Sequence, residues 1–362
     1  MNSSYQLSLL ITEQCNLRCS YCYCDKRRNG EMSYEAATKA INDTMKATGS
    51  APLKLLLMGG EPFLAFDLMR QIVEYIRTRY PERKMIVKTV TNGTLVHGEV
   101  QKWLTQNKDI FYTCLSLDGS REDHNRNRCN SYDKIDIDFF IRTYGDDAEV
   151  SMVACPESMD HLASNVIELQ ERGFRVKCVL ADDCHWDIEK DPKRWSEQLG
   201  ELIDYYLNHP EMMPFNQLRE ALNIVGGNLT SEKCMPGMNS HCIDTDGNYY
   251  ECHRCTPYFN NDTWHIPTGK SLSVNSDLLH IGCSQCPAQK ICLSCPASVA
   301  SLKDDSQLAQ TMCAMFKVTH WTNAVFVARL FTECPEHIRL RQMNDAVKKE
   351  YINGAQLLLN NL

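Results

Sequence analysis

Four short apolar runs in the first 120 residues each end in a polar turn, and helix-like stretches separate them. Tyr5–Thr12 leads into Cys15-Asn16-Leu17-Arg18-Cys19-Ser20-Tyr21-Cys22. Leu53–Met58 leads into Gly59-Gly60-Glu61-Pro62, and Met85–Val90 into Thr91-Asn92-Gly93-Thr94. Ile110–Leu117 ends in Ser116-Leu117-Asp118-Gly119. Runs of this length read as strands. Ser33–Thr48 reads as a helix with Ser33 as its N-cap. So does Asp67–Thr78, with Leu68, Met69, Ile72, Val73 and Ile76 on one face, and so does Gly98–Gln106. Val150–Val153 and Arg175–Leu180 are two further strands around a helix at Ser158–Arg172, closed by Gly173.

Repeated βα units imply a parallel sheet with covering helices. About six repeats predict an α/β fold of the partial (β/α)6 TIM-like barrel type rather than a closed eight-fold barrel. In such a fold the carboxyl ends of the strands share one face. Any one of the four turns is ordinary; four in register on one face are a site.

The first turn sets the chemistry. Three thiols in C-x3-C-x2-C supply three ligands, whereas a closed structural zinc site takes four. A [4Fe–4S] cube on three thiolates keeps one iron open for another ligand.

Composition narrows the setting. The chain has 362 residues, 19 cysteines and a net charge of −8. That length suits two to three domain-sized units. Disulfide-dense secreted scaffolds are short, and no signal peptide precedes the brief Leu7–Ile11 run. No stretch approaches the roughly 20 apolar residues of a membrane span. These features predict metal-binding thiols in a reducing cytoplasm, with no membrane partner. The acidic balance disfavours nucleic acid.

A second cysteine field begins beyond Gly227. Cys234 is followed by Gly247-x4-Cys252, then Cys283-x2-Cys286-x5-Cys292-x2-Cys295, then Cys313. The two close pairs also suit one tetrahedral zinc, although five residues between pairs are few for a zinc ribbon. Cys242 and Cys255 lie within the same field. Cys114 and Cys178 fall in strands and are expected to be small buried residues.

Over Tyr5–Ala181 the ordered motifs resemble the radical S-adenosylmethionine (SAM) superfamily. The resemblance implies that Cys15, Cys19 and Cys22 hold a [4Fe–4S] cluster whose open iron takes the amino and carboxylate groups of SAM. It implies reductive cleavage of SAM to methionine and a 5′-deoxyadenosyl radical that abstracts a substrate hydrogen. Gly59, Gly60 and Glu61 would meet the methionine end, with Glu61 accepting from its ammonium. Thr91, Asn92, Ser116 and Asp118 would lie near the SAM and substrate pocket. His124 and Arg128 resemble a following His-Asp-x-x-Arg pattern. Asn125 stands where that pattern has Asp, so both are expected to be structural.

The second field resembles the SPASM extension of peptide- and protein-modifying members of that superfamily. It departs once, with x2 rather than x3 between Cys292 and Cys295. The resemblance implies two auxiliary [4Fe–4S] clusters. One would take Cys234, Cys252 and Cys295 with Cys242, for which Cys255 competes; the other would take Cys283, Cys286, Cys292 and Cys313. The expected organisation is a barrel at 1–181, a bridging helical segment at 182–227, a SPASM domain at 228–320 and helices at 321–362. In the bridge, Trp186, Trp195, Leu199, Leu202, Ile203 and Tyr206 form one amphipathic helical face, and Gly226-Gly227-Asn228 marks a boundary. The tail helices are expected around Ala324–Leu330 and Ala346–Leu359.

The function expected is that of a cytoplasmic radical SAM maturase acting on a ribosomally made peptide, by cross-linking, oxidation or epimerisation. No residue decides among these, and no catalytic acid or base is assigned. The partners expected are a peptide or protein substrate and an external electron donor of flavodoxin or ferredoxin type. The first strand starts near Tyr5, so a leader peptide would be read by the barrel rim, the SPASM region or a separate protein. An alternative is an anaerobic sulfatase-maturing enzyme. Those enzymes place an Asp directly after the cysteine equivalent to Cys252, where this chain has His253. A noncatalytic metal-binding scaffold is disfavoured by the intact triad and Glu61.

Overall fold

The computed structural model describes residues 5–181, 184–227, 239–259, 283–292, 295 and 306–362. Eight strands form one sheet in the order β6-β5-β4-β3-β2-β1-β7-β8. They are β1 (Tyr5–Thr12), β2 (Leu53–Gly59), β3 (Met85–Thr91), β4 (Phe111–Ser116), β5 (Glu149–Ala154), β6 (Arg175–Leu180), β7 (Ser240–Ile243) and β8 (Tyr249–Tyr250). Strands β1 to β5 pair in parallel, as does β7 with β1, while β8 returns antiparallel on β7. The six expected repeats are therefore present in an open sheet. Its other edge is extended by a β7–β8 hairpin that sequence reading left as loop.

The chain divides into two compact units. One holds Met1–Met152, Arg172–Arg175 and Met235–Ser273; the other holds Val153–Glu171, Val176–Cys234 and Val274–Leu362. In the first unit, β1 is apolar almost without alternation, and Leu7, Leu9, Leu10 and Ile11 are all fully buried. A strand covered on both faces reads this way. Helix α1 (Tyr34–Thr48) starts where Ser33 caps the Ala36 amide and ends at Gly49 with φ +54°. Glycine holds that left-handed backbone without strain. Helices α2 (Phe66–Arg79) and α3 (Glu99–Gln106) follow as the apolar spacing predicts. Two helices were not anticipated, α4 (Arg121–Asn127) and α5 (Ile137–Tyr144).

In the second unit the segment expected to be one helix at Ser158–Arg172 opens as a 3₁₀ turn, Pro156–His161, before α6 (Leu162–Glu171). Helix α7 (Asp191–Asn208) buries Trp195, Leu199, Leu202, Ile203 and Tyr206 on one face. Trp186 precedes the helix and donates from its indole to the Ala181 carbonyl at 2.8 Å, so it is not part of that face. Gly226, part of the expected boundary, is closely packed within the second unit. It closes the short α8 (Asn223–Gly226), and a Cβ there would collide with the Glu350 carbonyl. The long α9 (Ser306–Glu333) and the short α10 (Ile338–Arg341) precede α11 (Asp345–Asn361). In α11 a Cβ on Gly354 would meet the Leu222 carbonyl, so two glycines let α8 and α11 touch backbone to backbone. Among the described residues no helix is long and apolar enough to cross a membrane.

Candidate active site

The cysteine loop leaves β1 at Thr12 and is closed at its root by Glu13. The Glu13 carboxylate accepts from Arg28 Nε at 2.7 Å and from the Gly30 amide at 2.8 Å. Glu13 N–H returns a bond to the Gly30 carbonyl at 2.8 Å. Between these ends stand Cys15, Cys19 and Cys22, all half-buried.

Each of the other three strand-end turns grips this loop at a different point. From β2, the Gly60 amide donates to the Thr12 carbonyl at 3.1 Å and the Glu61 amide to the Gln14 carbonyl at 2.8 Å. A Cβ on Gly59 would press on Thr12 and one on Gly60 on Gln14. The glycines are thus required by the approach of the loop's own backbone. From β3, Asn92 Nδ2 donates to Asn16 Oδ1 at 2.8 Å, and Asn16 Nδ2 donates to Thr94 Oγ1 at 2.8 Å. From β4, the Asp118 carboxylate accepts from the Tyr21 hydroxyl at 2.5 Å and from both forks of Arg128 at 3.0 Å. The Ser20 amide donates to the Asn127 carbonyl at 2.9 Å.

The carboxylates singled out from sequence are therefore engaged inside the protein. Glu61 is 1% exposed. It accepts from Thr91 Oγ1 and the Asn92 amide at 2.7 Å each, and from the Phe63 amide at 3.1 Å. Burial pushes its pKa up, and these three donors oppose the shift. Asp118 is fully buried. Ser116 is half-buried at the end of β4, and its neighbour across the sheet is Ser151. Arg128 and His124, to which sequence assigned no chemistry, take part in the clamp. Arg128 is the cation of Asp118, and His124 Nδ1 lies 3.5 Å from the Asp118 amide. Burial pushes His124 down to about 4, so its ring is neutral at pH 7.

Glu61→Ala tests the β2 clamp. It strands the buried Asn92 amide and Thr91 hydroxyl, each at roughly 1–3 kcal/mol. Urea unfolding should show that loss, and Glu61→Gln, which keeps one acceptor oxygen, should show less of it. Equal stability of Glu61→Ala and the parent chain would remove the clamp from the account.

The thiols differ in their protonation. Contact with Cys24 and the Lys26 ammonium, whose Nζ is 2.8 Å from Cys22 Sγ, hold Cys22 down at about 5. Burial pushes Cys19 up to about 11 and also raises Cys15. Among the described residues no three His, Cys, Asp or Glu side chains already converge as an ion site. The fit to a four-iron cluster lies in the donor set: three thiols on a loop pinned at Gln14, Asn16 and Tyr21.

In the second cysteine field, Cys234 lies outside the described residues. Cys242 and Cys252 belong to the first unit. Cys242 is buried, and burial and the nearby Cys252 push its pKa up. Cys255 Sγ is 3.5 Å from Cys252 Sγ. In the second unit, burial raises Cys313, and Cys283, Cys292 and Cys286 act on it in the same direction. Cys283, Cys286 and Cys292 are therefore each within electrostatic reach of Cys313. Cys295 is half-buried in the same unit. Sequence reading missed a buried pair beside Cys292: His320 Nδ1 stands 2.7 Å from Glu220 Oε1. No disulfide joins any of the described cysteines.

Residues 6–132 match a family model described as a 4Fe-4S single cluster domain. A cysteine-type anaerobic sulfatase-maturating enzyme of Clostridium perfringens is 24% identical over 353 residues, covering 83% of this chain and 92% of that relative. A solved structure of a similar protein, anSMEcpe with bound AdoMet, superposes with a TM-score of 0.70 at 20% identity, over 91% of this chain and 98% of that one. Streptococcus suis SuiB bound to its precursor peptide SuiA superposes with a TM-score of 0.59 at 15% identity, over 85% of this chain and 75% of that one. The triad sits in the matched cluster segment, on a sheet of the fold shared with these proteins, in a chain of which 83% aligns with the clostridial relative. In that segment and in its fold the chain is similar to radical SAM enzymes.

Proposed function

We propose that this chain modifies a residue within a peptide or protein substrate. The observation that carries the reading is the cysteine loop held from three strand ends at once. Such a loop presents three thiols in fixed positions at one end of the sheet. Cys15, Cys19 and Cys22 would hold the cluster to which SAM binds. When bound, that pair supplies one-electron cleavage of SAM and hydrogen abstraction from the substrate. The chain's own residues position and enclose. Gly59, Gly60, Thr91, Asn92 and Ser116 lie on the turns around the loop and form the proposed cofactor-contacting set. Glu61 and Asp118 act through the loop's position. Cys283, Cys286, Cys292 and Cys313 are the proposed ligands of one auxiliary cluster. The resemblance would give the other to Cys234, Cys252 and Cys295 with Cys242 or Cys255; the 3.5 Å sulfur contact between Cys252 and Cys255 supports Cys255.

Substrate class is supported by fold relatives solved with peptides bound: SuiB with SuiA, and anSMEcpe with its Cp18Cys peptide, the latter at a TM-score of 0.67. The electron required would come from a flavodoxin- or ferredoxin-type donor in a reducing cytoplasm. Sulfatase maturation is the second reading, favoured by the length of the clostridial alignment. His253 weighs against it. In place of a carboxylate, an imidazole follows Cys252 and packs edge-on against Phe259, with ring centroids 5.3 Å apart.

Anaerobic assay with SAM and dithionite tests the proposal. Release of 5′-deoxyadenosine should rise on adding the true peptide, and deuterium from one peptide residue should enter 5′-deoxyadenosine or return to product. Stimulation by a sulfatase peptide, with formylglycine as product, would establish the second reading instead. If no peptide or protein stimulates cleavage, a small-molecule substrate becomes the better account.

A further inference from the structure

Tyr258 lies over 230 residues from the triad in sequence, yet in the fold of the first unit it packs against Cys24 and within electrostatic reach of Cys22 and Cys15. It is fully buried. Its hydroxyl would be 2.7 Å from a Cβ on Gly60, which places it beside the turn that grips Gln14. Burial and the neighbouring thiols Cys24, Cys22 and Cys15 all push its pKa upward. Yet the hydroxyl meets the Cys24 thiol without reaching the geometry of a full hydrogen bond. A buried hydroxyl without a full hydrogen bond is costly, at roughly 1–3 kcal/mol, and native proteins rarely leave one so.

The rest of the segment is built to hold that ring still. The Asp25 amide donates to the Tyr258 carbonyl at 2.9 Å, tying it to the far side of the cysteine loop. Phe259 packs edge-on against Tyr258 at 4.8 Å and also against Tyr23 at 5.6 Å. The Arg254 guanidinium lies over the Tyr23 ring at 4.1 Å. Leu10, Phe259, Cys24 and Met58 surround the tyrosine. A phenol fixed this way among thiols has one chemistry to offer. At neutral pH, well below its ordinary pKa of about 10, it is a hydrogen-bond donor.

We infer that the Tyr258 hydroxyl donates a hydrogen bond to the sulfur of the cluster held by Cys15, Cys19 and Cys22, and so helps set the potential at which that cluster is reduced. The inference rests on the proposed assignment of that cluster to the triad. A donor to cluster sulfur stabilises the reduced, more negative state, and hydrogen bonds to sulfur are among the protein's levers on cluster potential. Tyr258 is a positioning residue in this account: it touches neither substrate nor a reacting carbon. It also makes the segment around Cys252 and Cys255 a partner of the first cluster.

Tyr258→Phe removes the hydroxyl and keeps the ring. The reconstituted full chain and this variant would be titrated with dithionite under EPR, the triad cluster being recognised as the signal that SAM perturbs. The variant's triad cluster should be harder to reduce by about tenfold in the one-electron equilibrium, a shift of ~59 mV to lower potential. Its auxiliary signals, iron content and melting temperature should stay at parent values. An unchanged triad potential in a variant that keeps its iron overturns the inference while leaving the cluster assignment standing. Equal shifts in every cluster signal also overturn it, since they would report a general structural effect. A parent chain with no SAM-responsive cluster overturns the assignment and the inference together.

Discussion

Replacing Cys15, Cys19 and Cys22 together by alanine should abolish SAM cleavage and remove about 4 of roughly 12 iron atoms per reconstituted chain, given four irons per cube. The loss should be confined to that cluster, because the loop does not depend on the thiols for its course. Its root is Glu13 with Arg28 and Gly30, and its grips are at Gln14, Asn16, Ser20 and Tyr21. The variant should therefore fold, keep its circular dichroism and retain about 8 irons. Cys286→Ala is the complementary change. It should lower iron and product while leaving SAM cleavage measurable, provided the second unit stays folded without that metal. An unchanged iron content in the triad variant would place the cluster elsewhere. About four irons with stoichiometric zinc in the parent chain would replace the auxiliary clusters by zinc sites.

The sheet was legible because its strands are buried in a way that leaves a mark on composition. β1, covered on both faces, is an apolar run, and β3 alternates: Met85, Val87, Thr89 and Thr91 are buried, while Ile86 and Val90 are exposed. Helix α4 left no such mark. Its sequence, Arg121-Glu122-Asp123-His124-Asn125-Arg126-Asn127, has no apolar period. Its buried residues are Asp123, His124 and Asn127, satisfied by hydrogen bonds rather than by packing. Strands β7 and β8 span four and two residues, too short for a periodic signal.

The site was legible as residue types and less so as roles. The four turns stood out because glycine, cysteine and acid cluster there. Their spacing could not show that Glu61, Asn92 and Asp118 turn toward neighbouring turns. Those bonds join residues about 30 to 100 positions apart, and pairwise geometry of that kind has no local sequence signature. The same holds for Tyr258 against Cys24 and for His320 against Glu220. Gly226 illustrates the converse. Glycine marks both linkers and close helix contacts, and only the position of Gly354 and Glu350 tells which applies.

Arg128→Leu should be among the most destabilising single changes in the first unit and should also disable SAM cleavage. Arg128 is 8% exposed and Asp118 fully buried, and the two are joined through both guanidinium forks. Removing one partner of such a pair leaves a buried, uncompensated charge, at about 3–5 kcal/mol. Burial opposes ionisation of Asp118, but Arg128 outweighs it and holds the carboxylate below the usual range. A lowered carboxylate pKa stabilises the fold above the unfolded value of about 3.9 and ceases to do so as pH falls through the folded one. The pair's contribution is therefore complete at neutral pH and is lost only in acid. The catalytic effect follows from the same bonds. Asp118 accepts from Tyr21, between Cys19 and Cys22, and Arg128 stacks over the Tyr21 ring at 5.3 Å. A loop released at Tyr21 no longer holds two of its three thiols in place. Arg128→Lys keeps the charge and loses the fork, so it should recover part of the stability and less of the activity. Urea unfolding at pH 7 and 5′-deoxyadenosine release, measured on both variants, check the two effects separately. Parent-like cleavage in a folded Arg128→Leu chain would mean that the β4 clamp supports the fold alone.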